Sequence, residues 1–182
     1  LSEYRFMQKK FSLQPIPAVM WKKARLRPQN APERRIRQFA QLICQSEWLF
    51  SSMLTARTVR ALRQLLHFVP LPSTHGLQPP PPLGKASVDI LLINTLLPYR
   101  YAYAELQHNA QAMQSAIDLM HDLPAEDNSI VRQWRLLGQR VTSAADSQAL
   151  IHLYQHYCQH ERCIHCEVGT LVFDSLPSTM QT

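Results

Sequence analysis

The stretch PLPSTHGLQPPPPLG, residues 70–84, holds six prolines, four of them consecutive. Proline fixes φ and lacks a backbone N–H, so this stretch forms neither a helix interior nor a central strand. Four prolines in a row favour an extended polyproline conformation. Every helix must therefore begin or end outside it. The expectation is a basic helical half over residues 1–69, a proline-rich surface linker over 70–86 and a helical half over 87–182, packed as one domain. A proline run also serves as a partner ligand, but no neighbouring motif supports that reading.

The flanking segments read as helices. Only four of the 182 residues are glycine, whereas Leu, Ala, Gln and Arg are plentiful, which favours an all-α multi-helix bundle over a turn-rich β fold. A helix is expected from about Pro32, capped by Asn30 or Ala31, with Ile36, Phe39, Ala40 and Ile43 on its apolar face. Arg34, Arg37 and Gln41 then line its wet face. Ser46 and Thr55 are expected to cap two further segments, the second burying Val59, Leu62, Leu65 and Leu66. Ser87 is expected to open a central helix that is apolar all round and ends near Pro98, with Asp89 and Asn94 as its polar exceptions. A long helix over about 101–121, a helix carrying Ile130, Val131, Trp134 and Leu137 that stops at Gly138, and a capping box of Ser143 with Asp146 complete the series.

Charge is unevenly placed. Residues 1–85 hold 14 Lys and Arg against 3 acids, while residues 86–182 hold 5 against 10, making the second half acidic. Lys22, Lys23, Arg25, Arg27, Arg34, Arg35 and Arg37 form the densest run, and Arg57 and Arg60 lie on a neighbouring helical arc. A solvated face, contact with nucleic-acid phosphates and docking on an acidic protein surface are all compatible with such a run. No apolar run approaches the roughly 20 residues that span a bilayer, and no secretory leader follows Leu1. These features lead to the expectation of a cytoplasmic chain, either processed or part of a longer protein, without membrane contact.

The most pointed chemistry is HYCQHERCIHCEVG, residues 156–169, with Cys158, Cys163 and Cys166 close together. The spacing suits a structural zinc site or an iron–sulfur cluster, with His156 as a fourth ligand, and equally suits three reduced thiols. His160, His165 or the distant Cys44 are the other possible fourth ligands, although Cys44 reads as a small core residue. The helical surroundings do not supply the thioredoxin-like context that a redox Cys pair wants. There is no G-x-S-x-G, H-E-x-x-H or P-loop, so no catalytic motif is visible.

Four segments in order, RLRPQNAPERRIRQFAQLI, GKASVDILLINTLLPYRYAYA, LPAEDNSIVRQW and SQALIHLYQHYCQHERCIHC, resemble the C-terminal half of a bacterial family of unknown function, over about residues 20–168. The resemblance implies that a separate N-terminal half, suggestive of a restriction-endonuclease-like fold, is missing here. The Cys loop is also similar to the iron–sulfur loop of helix-hairpin-helix DNA glycosylases. It departs from that pattern in its first gap and in lacking a fourth cysteine, so glycosylase activity is not implied. The function expected is that of a non-catalytic accessory domain contacting nucleic-acid phosphates. The alternative is a helical scaffold or protein-interaction domain whose basic half docks on its own acidic half or on an acidic partner.

Overall fold

The computed structural model describes residues 2–21, 30–71 and 78–174. Among these residues the regular structure is helical, with one isolated antiparallel bridge between Pro124 and Ser143. The chain forms two compact units, one drawn from residues 1–47 and 68–82, the other from 48–67 and 83–182.

The first unit contains α1 (Ser2–Lys10) and α2 (Pro32–Gln45), the latter opening after Ala31 with Pro32 in its first turn, as expected. The face that α2 presents is not the expected one. Gln38 and Leu42 are buried, whereas Ile36, Phe39 and Ile43 are 46%, 63% and 48% exposed. The proline-rich segment explains the reversal. The extended backbone of Val69 and Leu71 presents N–H and C=O groups that the amide side chains of α2 can take up. The amide of Gln45 donates to the Val69 carbonyl at 2.7 Å and accepts from the Val69 N–H at 3.0 Å. Gln41 makes the same pair of bonds with Leu71, at 3.2 and 3.4 Å. Four residues of helix and two of extended chain each advance about 6 Å, so the two registers match. Farther along, Gln38 donates to the Pro81 carbonyl at 2.8 Å and Arg37 to that of Gln78. The described part of the proline segment is thus a strap held to α2 by amide side chains.

The second unit contains α3 (Leu49–Thr55), α4 (Val59–Leu65), α5 (Lys85–Leu91), α6 (Leu97–Leu106), α7 (Ala110–Asp122), α8 (Ser129–Leu136), α9 (Ala144–His156) and α10 (Glu167–Asp174). Within it α6 packs on α7, and both α7 and α8 pack on α9. Leu62, Leu92, Leu97, Leu119, Leu123 and Val131 are almost wholly buried. Two caps differ from expectation. Trp48, in the left-handed region at φ 57°, precedes α3 in place of Ser46. Thr58, whose hydroxyl accepts from the Ala61 N–H, caps α4, while Thr55 turns its hydroxyl back to the Ser51 carbonyl.

The expected central helix neither begins at Ser87 nor ends at Pro98. It starts after Gly84 and continues through a π turn, Leu92–Leu96, into α6. A proline inside an α-helix clashes with the carbonyl four residues back. Here the Leu97 N–H bonds to the Leu92 carbonyl, and the widened turn lets the helix pass Pro98. Ile90 and Leu91 are exposed, so the rod is not buried all round. The expected helix over 101–121 is two, because His108 adopts φ 50° and Asn109 caps α7 through the Ala112 N–H.

Candidate functional site

The cysteines are carried by a hairpin whose position is set by α9. Ser143 accepts from the Asp146 N–H and Asp146 accepts from the Ser143 N–H, forming the expected capping box. Strand-like bonds at 2.8 Å from the Ala144 N–H to Leu123 and at 3.3 Å from the Ala125 N–H to Thr142 tie this end to the loop after α7. At its other end α9 gives way to two 3-10 turns, Cys158–His160 and Cys163–His165, and then α10. Glu161 sits between the turns in the left-handed region at φ 54°. Gly169 of α10 passes so close to the Cys163 carbonyl that a Cβ there would lie 2.2 Å from the oxygen. No side chain larger than hydrogen fits, and glycine here locks α10 against the hairpin.

Cys158, Cys163 and Cys166 line one cavity of about 300 Å³, with Trp134, Leu153, Tyr157, Val168 and Gly169. Cys166 is buried and the other two are exposed, and all are free thiols. Desolvation raises the Cys158 thiol above its ordinary range, and the neighbouring Cys166 and Cys163 add to the effect. A reactive thiol is made by lowering its pKa, so this environment opposes nucleophilic or disulfide-exchange chemistry at Cys158.

His156 does not share this cavity. It lines a separate cleft with His152, Tyr157, Arg162 and His165. Residues two apart near a helix end point about 200° from one another, which separates His156 from Cys158. Among the described residues, no group of three or more His, Cys, Asp or Glu side chains is placed to hold a metal ion. Cys44, expected in the core, is exposed on α2.

The basic residues are used unevenly. Lys22, Lys23, Arg25 and Arg27 lie outside the described residues. Arg35 is half-buried and donates to Asn30 at 2.6 Å and to Gln38 at 3.0 Å, and Arg37 is engaged with the strap. Arg34 is also half-buried, with its Nε lacking a hydrogen-bond partner. Arg57 and Arg60 are exposed, in the other unit. Arg63 pairs with the buried Asp89 at 2.7 and 3.0 Å. Sequence reasoning missed Arg100, which is 6% exposed and spans from the Met53 and Ala56 carbonyls to Ser115. Its burial lowers the guanidinium pKa, and it ties the end of α3 to α7. Its only sequence signal was a charged residue on an apolar helix.

A family model described as a protein of unknown function, DUF2851, matches residues 1–129. The chain belongs to this family. The DUF2851 match takes in the α2 helix, the strap and the second unit as far as the first residue of α8. It stops before α9 and the Cys–His hairpin. No curated protein and no solved structure matches the chain. No helix among the described residues is long and apolar enough to cross a membrane.

Proposed function

We propose that this DUF2851 chain is a non-catalytic helical interaction domain whose first unit docks a second polypeptide along α2. The observation that carries this reading is the exposure of Ile36, Phe39 and Ile43, at i, i+3 and i+7 on one helix. An amphipathic helix normally buries that stripe. Apolar patches left in solvent mark interaction surfaces. Tyr4, Phe6 and Phe11 of the same unit are exposed as well. Arg34 and Arg35 adjoin the stripe in sequence, so the chemistry that fits is an apolar ridge flanked by carboxylates. The N-terminal half implied by the family resemblance is the first occupant to try.

Phosphate contact is the second reading, favoured by the exposure of Arg57 and Arg60 on a chain of net charge +6. One titration series separates the two. The chain is titrated with the N-terminal half of a longer family member and, in parallel, with mixed-sequence DNA at rising salt. Docking predicts saturable binding to the polypeptide that Phe39→Glu/Ile43→Glu abolishes and Arg57→Gln/Arg60→Gln leaves intact. Binding to DNA alone, falling steeply with salt and lost in the arginine variant, would replace the docking reading with the phosphate reading.

A further inference from the structure

Residues 86–182 hold twice as many acids as Lys and Arg, yet one concave surface there is built without a carboxylate. His152 and His156 stand one turn apart in the last turns of α9, with ring centroids 4.2 Å apart and planes tilted by 33°. Tyr157 follows at the helix end, Arg162 comes from the segment between the two 3-10 turns, and His165 from the second turn. These five side chains line a cleft of about 650 Å³. Neither α7 nor α8, which pack on α9, contributes to its wall. Glu161 lies in the same hairpin, exposed and outside the lining. The two histidines and Arg162 are exposed, and Arg162 makes no ion pair among the described residues.

The composition of this wall decides the sign of what it takes. A metal cation would be repelled by the guanidinium, and no three ligands are placed to hold one. An oxyanion meets the opposite situation. Guanidinium matches the paired oxygens of a phosphoryl or sulfuryl group through two parallel N–H donors. Imidazole supplies an N–H donor when neutral and a second donor with a positive charge when protonated. The phenol of Tyr157 adds one more donor. We propose that the cleft formed by His152, His156, Tyr157, Arg162 and His165 binds the phosphoryl group of a small phosphorylated ligand or free phosphate.

Sulfate, whose charge is constant across the working range, is the first probe. The full chain is titrated calorimetrically with sulfate, and saturable binding is expected. Arg162→Gln should cost about tenfold in affinity. His152→Gln/His156→Gln should weaken binding while leaving a residual Arg162-dependent affinity. Arg140→Gln, an exposed arginine outside the cleft, should bind as the parent does. Inorganic phosphate and adenosine monophosphate then separate the two sources: tighter binding of the ester assigns a phosphorylated metabolite, and tighter binding of the ion assigns free phosphate. Either order supports the site. Absence of saturable sulfate binding, or equal losses in Arg162→Gln and Arg140→Gln, overturns it. All the substituted residues are solvent-exposed, and circular dichroism confirms that the variants keep their helices. The cleft and the α2 docking face lie in different units, so each proposal fails or stands by itself.

Discussion

The carboxylate of Asp146 accepts from the backbone N–H groups of Thr142 and Ser143, both at 3.0 Å, and from the Thr142 hydroxyl at 3.1 Å. The Thr142 N–H and then the Ser143 N–H are the main causes that hold its pKa down to about 2. A carboxyl whose folded pKa lies below its unfolded value of about 3.9 stabilises the fold fully above that value. The contribution is lost as pH falls from about 4 toward 2. Asp146→Asn is therefore expected to lower the thermal midpoint at neutral pH and to make the acid side of the stability profile shallower. Parallel melts from about pH 6 to about pH 2.5 test this, and parallel curves of parent and variant would remove Asp146 from the account. This box was legible in the sequence because its bonds close within three residues. The thiol cluster was legible only in part, since spacing gathers Cys158, Cys163 and Cys166 but says nothing of which way His156 turns. Arg100 was not legible, because its partners at Met53, Ala56 and Ser115 are distant in sequence.

At the level of elements, α2 and the strap form the least ordinary pairing. Gln41 and Gln45 each offer a donor and an acceptor to one extended residue, as a neighbouring strand would. A hydrogen bond of this kind contributes about 1 kcal/mol net, and the four bonds share two side chains. Gln41→Ala/Gln45→Ala should leave α2 helical while freeing the strap. Amide exchange at Val69 and Leu71 should then accelerate by about tenfold or more, measured against unchanged exchange in α7. Equal protection in parent and variant would show that other forces hold the strap. The capping and proline signals placed the start of α2 correctly, while apolar periodicity gave its orientation wrongly. It assumes that polar side chains face only water, whereas these glutamines bond to the backbone of the strap. Pro98 misled in a related way: proline stops a helix unless a wider turn removes the clash, and the π turn of Leu92–Leu96 has no composition of its own to announce it.

The whole molecule poses a question that neither residues nor elements answer, which is how much chain the fold requires. The family match ends at residue 129, but the second unit does not. Leu119 and Leu123 belong to the segment ending α7 and are almost wholly buried, as are Val131 on α8 and Ala144 at the start of α9. α9 packs on both α7 and α8, and the Pro124–Ser143 bridge joins the loop after α7 to the cap of α9. A chain cut after residue 129 would return Leu119 and Leu123 to water, at about 1.5–3 kcal/mol for each side chain fully exposed. That loss is comparable with the roughly 5–15 kcal/mol by which ordinary domains are stable. The fragment 1–129 is accordingly expected to lose cooperative unfolding. A chain ending at residue 157 retains α8 and α9 and should melt cooperatively, because among the described residues the hairpin and α10 supply only Cys166 to the buried set. Thermal melts of both fragments beside the full chain decide the matter. If the 129-residue fragment melts like the full chain, α8 and α9 are appendages, and the family segment folds alone. If it does not, while the longer fragment does, the Cys–His hairpin is free of any duty to the core, and its cleft is available to be shaped by what it binds.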